Sequence, residues 1–204
     1  MDEIVLAALN KWPDVPHCYG WLALDARGDW RMRDERAQTL NLAGDKIRNA
    51  ALLGFINRNY QHDEQGRWYF QNGPQRVYVD LEATPYIAKT VPDTGLMLHT
   101  GSAMGHITDA FLSSDGKLIL RAGNLLAQLD DRDLAACLGN MQINGQPAQD
   151  EAVLAWLTAV DNTADAATLS LQLSPHAPAI NIEHGELTQL MFDYGYIARP
   201  RLAE

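Results

Sequence analysis

The sequence predicts an α+β protein of two small units, built mainly of antiparallel strands with short helices. Three observations lead there. Short runs of alternating apolar and polar residues are broken by Asp- and Gly-containing turns, which is the signature of hairpins. Between them lie stretches of about ten residues with helical spacing, too short for a bundle. Composition also changes along the chain. Residues 1–91 hold 11 Lys/Arg and 12 Asp/Glu with four of the five tryptophans, whereas residues 92–204 hold 5 and 14 with Trp156 alone. The expected division is therefore an aromatic-rich unit, 1–91, and an acidic unit, 92–204, joined near "TVPDTG".

In chain order, "DEIVLAALNKW" reads as a helix stopped by "PDVP", because proline cannot continue the hydrogen-bond ladder. "CYGWLALDARGDWRMR" reads as a hairpin turning at Asp25–Gly28, with Trp21 and Trp30 placed to pack across it. "GDKIRNAALLGFINRNY" reads as a helix stapled by Ile47, with Leu52, Leu53 and Ile56 as its apolar stripe. "HDEQGRWYF" and "NGP" are turn, strand and turn. "RVYVDLE" alternates, so Val77, Val79 and Leu81 are expected on the core face, and Arg76, Tyr78, Asp80 and Glu82 facing outward or toward the other unit. "PYIAKTV" closes the first unit as its last strand.

The second unit opens with "GLMLHTG" and a hairpin at "SSDGK". "LDDRDLAACLGNM" is a helix capped by Asp130 or Asp131, and "QDEAVLAWLTAV" is another helix. "ATLSLQL" and "PAINIEHG" alternate as strands, and "ELTQLMFDYGY" fits either state. "LALDARGDWRMR" and "FLSSDGKLILRAG" resemble each other as hairpins, which suggests a duplicated α+β unit.

The net charge of −10 disfavours partners recognised through phosphate backbones, so nucleic acid is not expected. No run of about 18 apolar residues exists, and the N-terminus carries acids where a signal peptide needs bases. Two cysteines, Cys18 and Cys137, suit a reducing compartment, so a cytoplasmic location is expected. A homo-oligomer stays open.

Catalytic and metal motifs are weak. His62, Asp63 and Glu64 are adjacent in a turn, and neighbours in sequence rarely converge on one ligand. His17 and Cys18 offer a Cys–His pair only if the fold brings the side chains into contact and lowers the thiol pKa. His176, Glu183, His184 and Glu186 match no established metal spacing. The "TGSAMG" loop between His99 and His106 lacks the lysine of a phosphate loop, and "LDDRDL" lacks the length of a calcium loop. No catalytic residue, metal or cofactor is assigned. The candidate ligand-binding residues are Arg67, Tyr69, Arg76 and Tyr78. Arginine suits carboxylate or phosphate through its planar fork, and the tyrosines would wall a groove for a small anion. The competing reading is a sheet face laced by cross-strand pairs, such as Arg76 with a carboxylate. An enzyme of unrecognised type, with His62, Asp63, Glu64 or the His176/His184 region in a cleft between the units, is the alternative to a non-enzymatic module binding a small ligand or protein partner.

"GDWRM", "DKIRNAALLGFI", "DEQGRWYFQNGPQRVYVDLEATPYIA" and "SSDGKLIL" together resemble a family of small uncharacterised bacterial proteins, known as a domain of unknown function. The likeness is best over Gly20 to Thr90 and thin after about Gly139. The resemblance implies a two-domain α+β fold with related halves and a role in ligand sensing or signalling. It supplies no catalytic residues.

Overall fold

The structure is a computed structural model and describes residues 1–92, 95–159, 167–173 and 178–202. It divides into two compact units. The first contains Met1–Pro85 and Met191–Glu204, and the second Tyr86–Leu190. The expected boundary near Pro92 is thus corrected on two counts. Pro92 lies in a hairpin turn inside the second unit, and the C-terminus returns to the first. Local composition marks where acids and aromatics are written, but pairing decides which sheet a strand joins.

In the first unit, α1 (Glu3–Lys11) precedes β1 (Cys18–Leu24), β2 (Trp30–Met32), α2 (Glu35–Thr39), β3 (Asp45–Lys46), α3 (Ala50–Arg58), β4 (Tyr60–His62), β5 (Trp68–Asn72) and β6 (Gln75–Leu81). The sheet order is β3-β2-β1-β6-β5-β4, antiparallel except where β1 runs parallel to β6. In the second unit, β7 (Tyr86–Val91), β8 (Gly95–Leu98), β9 (Asp109–Leu112), β10 (Leu118–Ala122) and β11 (Leu125–Leu129) lead to α4 (Leu134–Leu138). Then come β12 (Met141–Ile143), β13 (Gln146–Pro147), α5 (Asp150–Thr158), β14 (Leu169–Leu171), β15 (Ile180–His184) and α6 (Leu187–Asp193). Their nine-stranded order is β13-β12-β14-β15-β9-β10-β11-β7-β8. The fold is α+β with mostly antiparallel sheets, as the patterning predicts. β7, expected to close the first sheet, pairs instead with β8 and β11.

The two sheets share a five-strand core. In each, a hairpin (β1–β2 or β7–β8) is joined to a three-strand meander (β4–β5–β6 or β9–β10–β11) whose last strand lies parallel beside the hairpin's first. The meander registers repeat at a spacing of fifty residues. Tyr60 pairs with Phe70 as Ala110 does with Leu120, and Tyr69 with Tyr78 as Ile119 does with Gln128. "FLSSDGKLILRAG" therefore corresponds to "QHDEQGRWYFQNG", not to "LALDARGDWRMR" as the hairpin resemblance suggested. The shared meander turn is local chemistry. Gly66 and Gly116 sit at φ 74° and 78° and donate to the carbonyls of Asp63 and Ser113, and those residues' side chains accept from the Arg67 and Lys117 N–H groups. A type I turn followed by a left-handed glycine bulge has this form.

α3 is capped by Asn49, whose side chain accepts the Leu52 N–H, and so starts at Ala50, later than the expected stretch from Gly44. Asp45–Lys46 is recruited as a strand by β2 instead. Below α3, Trp30 (2% exposed) meets Tyr60 edge-on at 5.1 Å, and its indole N–H donates to Asn57 at 2.7 Å. Trp68, Phe70, Ile56 and Leu24 complete this core. Trp21 does not pack across the hairpin with Trp30. The register pairs Trp30 with Leu24, and Trp21 is left 40% exposed. The second core gathers Leu118, Leu120, Leu129, Met141, Leu169 and Leu171, all nearly solvent-free.

Candidate functional site

β6 is central in its sheet, between β1 and β5, and both of its faces are covered. The expected outward face is therefore corrected: Tyr78 and Asp80 are 1% and 5% exposed. Alternation places Arg76, Tyr78, Asp80 and Glu82 on one side, but other segments cover its middle, at Tyr78 and Asp80, and leave Glu82 exposed. Tyr19 of β1 stacks flat on Tyr78 at 4.7 Å, and His17 meets the same ring edge-on at 5.7 Å.

The four sequence-predicted residues come together here. The Arg67 guanidinium lies 4.9 Å over the Tyr78 ring and that of Arg76 4.7 Å over the Tyr69 ring, geometry in which a ring quadrupole attracts a cation. The Tyr69 and Tyr78 rings meet edge-to-face at 5.6 Å. Asp63, one of the three adjacent turn residues weighed in the sequence, is the hub. Its Oδ1 accepts the N–H groups of Gln65 and Arg67, and its Oδ2 accepts Arg67 Nε at 2.8 Å and the Tyr78 hydroxyl at 3.0 Å. Burial works against its charge, but the Arg67 N–H and guanidinium and the Tyr78 hydroxyl outweigh that and hold the carboxyl below its usual range.

Arg76 is different. It is half-buried, yet among the described residues no carboxylate stands within ion-pair distance of it. The other buried or half-buried arginines of this unit are matched: Arg31 by Asp25, Arg33 by Asp80 and Arg67 by Asp63. The expected cross-strand pairing of Arg76 is thus corrected, because Asp80 is taken by Arg33 at 2.6 Å and Arg201 at 2.7 Å. Burial raises the Tyr78 hydroxyl pKa although Arg76 is close enough to favour its ionised form. Burial also lowers the pKa of His17, with Arg76 and Arg67 adding to it and Asp63 opposing.

The remaining candidates are dispersed. His62 packs on Trp68, with its Nδ1 near the Asp63 carbonyl oxygen, and Glu64 is exposed. Cys18 has its thiol pKa raised by burial, the wrong direction for a nucleophile, as does Cys137, pushed up to about 11. His99 is half-buried, and His106 is exposed. His184 stacks on Trp156 at 3.9 Å, Glu186 accepts the Ser114 N–H, and His176 lies outside the described residues. Asp130 accepts from the Arg132 N–H and its guanidinium, a turn cap and not a calcium loop. Among the described residues no cluster of metal-ligating side chains occurs, and no helix is long and apolar enough to cross a membrane.

Residues that sequence reasoning missed come from afar. Tyr19 is separated from Tyr78 by an α/β segment, and Arg201 reaches Asp80 across 121 positions. The C-terminal strap carries Arg201. It is tied by Ile197 N–H to Gly66 O at 3.0 Å and by Leu81 N–H to Ala198 O at 2.7 Å. No sequence signal announced the strap.

A family model named DUF2944, described as "Protein of unknown function (DUF2946)", matches residues 1–201. No curated protein matches the chain. Among solved structures, the chain is similar to a DUF1285 family protein from Shewanella baltica OS155, at 14% identity and TM-score 0.39 over 57% of this chain and 88% of that one. It is also similar to a DUF1285 family protein from Silicibacter pomeroyi DSS-3, at 11% identity and TM-score 0.30 over 94% and 84%.

Proposed function

The chain belongs to the DUF2944 family of proteins of unknown function, and we propose that its first unit is a non-enzymatic module that binds a small anionic ligand. The carboxylate or phosphate of that ligand is held by Arg76, with Arg67 alongside and Tyr69 and Tyr78 as walls. The observation that carries this reading is the Arg76 guanidinium, half-buried beside a second arginine and held by Tyr78 and the longer-range pull of Asp63, with no carboxylate among the described residues within ion-pair distance. Burial works against the Arg76 charge, and an anion would offset that cost through charge-assisted hydrogen bonds. A small ligand is favoured over a protein partner because Tyr69 and Tyr78 expose too little surface for a protein to dock on. Binding without chemistry suits a regulatory or signalling role in a bacterial cytoplasm.

The test is Arg76→Ala, with inorganic phosphate and succinate as probes in thermal-shift and calorimetric titrations. The parent should be stabilised by at least one of them. The variant should lose about 1 kcal/mol of stability at most, from its cation–π contact. Its ligand affinity should fall by about 1.5–3 kcal/mol. A parent indifferent to both anions, or a variant that binds as the parent does, defeats the reading.

A further inference from the structure

A second site lies in the first unit, in a groove of about 270 Å³ beside the Arg33–Asp80 ion pair. Six charged residues line it: Asp25, Asp80, Glu82, Arg31, Arg33 and Arg199. Four of them are satisfied in place. Arg31 places Nε and Nη2 on Asp25 Oδ2 at 2.8 and 2.7 Å, and Asp25 Oδ1 accepts the N–H groups of Arg27 and Asp29. Arg33 donates to Asp80 and, through Nε, to the Leu42 carbonyl oxygen, while Asp80 takes Arg201 on its other oxygen.

Two charges are left over. Arg199 is exposed, and among the described residues no carboxylate stands within ion-pair distance of it. Glu82 is also exposed and commits only Oε2, to the Ala26 N–H at 3.1 Å. The two line one groove without pairing with each other, so a cation and an anion face the same space with a gap between them. Apolar wall is supplied by Leu24, Leu42 and Leu81.

We propose that this groove binds a zwitterion of amino-acid size with an apolar side chain, its carboxylate on Arg199 and its ammonium on Glu82. A purely anionic ligand would gain Arg199 but face Glu82, and a purely cationic one the reverse, so each would meet a like charge in the same groove. The volume agrees. At about 270 Å³ the groove has room for a ligand of that size. The site shares no residue with the Arg76 cluster and does not depend on it.

The experiment is calorimetric titration of the full chain with L-leucine, N-acetyl-L-leucine and L-leucinamide. It is repeated on Arg199→Ala and Glu82→Gln, both exposed positions whose replacement should leave the melting temperature unchanged. Leucine should bind the parent, and each capped analogue should bind at least about tenfold more weakly, the loss of one charge-assisted contact. Each variant should weaken leucine by a similar factor, and Arg199→Ala should in addition bind leucine no better than N-terminally free leucinamide. Arg76→Ala should leave leucine binding intact, while Arg199→Ala leaves the phosphate response intact, so the two sites fail separately. No heat with leucine at about 10 mM, equal binding of N-acetyl-leucine, or undiminished binding by both variants overturns the proposal.

Discussion

Gly66→Ala should dislodge the C-terminal strap, and the internal repeat supplies its control. Gly66 and Gly116 occupy the same turn with nearly the same φ, 74° and 78°. An alanine at either must hold a left-handed backbone, at about 1–2 kcal/mol. Only at Gly66 is there a further obstacle. A Cβ there would lie 1.8 Å from the Gly195 carbonyl oxygen and 3.1 Å from the Tyr196 Cα, whereas at Gly116 it meets nothing within 4 Å. Backbone cannot yield as a flexible side chain does, so the strap has to move. It then gives up its two backbone hydrogen bonds, to Gly66 O and from Leu81 N–H, at about 1 kcal/mol each. It also exposes Tyr196, now 5% accessible, whose burial contributes about 2 kcal/mol. Gly66→Ala should therefore cost about 4 kcal/mol more than Gly116→Ala. Urea denaturation followed by tryptophan fluorescence reports the first unit, which holds Trp12, Trp21, Trp30 and Trp68, and far-ultraviolet circular dichroism covers both units. If the two variants lose stability within about 0.5 kcal/mol of each other, the strap is not docked as described.

Trp30→Ala should cost about 3–5 kcal/mol in urea denaturation because it empties a core position, while Trp21→Ala, at a site 40% exposed, should cost well under half of that; equal losses would contradict the packing. His99 is held neutral, its pKa lowered by burial and by Lys89 to about 3 from an unfolded value of 6.5. Below pH 6.5 the unfolded chain binds a proton that the folded chain refuses. Stability present above that pH should therefore fall as pH drops toward about 3, by up to about 1.4 kcal/mol per unit, and His99→Gln should flatten that slope in pH-dependent melts.

What the sequence by itself determined is local. Asp25–Gly28, Asp63–Gly66 and the "SSDG" turn are hairpin turns because an acceptor side chain and a left-handed glycine three residues on are short-range requirements, readable without knowing what the strands pair with. The burial of Trp30 and Trp68, each two residues after such a glycine, follows from the same phase. Alternation also placed Arg76, Tyr78, Asp80 and Glu82 on one side of β6, and so made the candidate residues nameable. The halves' relatedness was visible as hairpin likeness, though its register was misread: the fifty-residue spacing lives in pairing partners, while the apolar residues themselves differ, Trp68 standing against Leu118 and Tyr69 against Ile119.

Only tertiary structure decided what covers that side of β6. A period of two assigns side chains to faces but says nothing about whether a face meets water, because the cover is supplied by distant chain. Tyr19 arrives through the parallel β1–β6 pairing, and the strap brings Arg201 onto Asp80. Which charges cancel is decided by the same contacts. A first segment with 11 bases and 12 acids reads as nearly neutral, yet Arg33 and Arg201 both spend themselves on Asp80, and Arg76 is left beside its tyrosines without a counterion. Composition fixes the sum of the charges, whereas ion pairing depends on separations of a few ångströms, and only folding sets those.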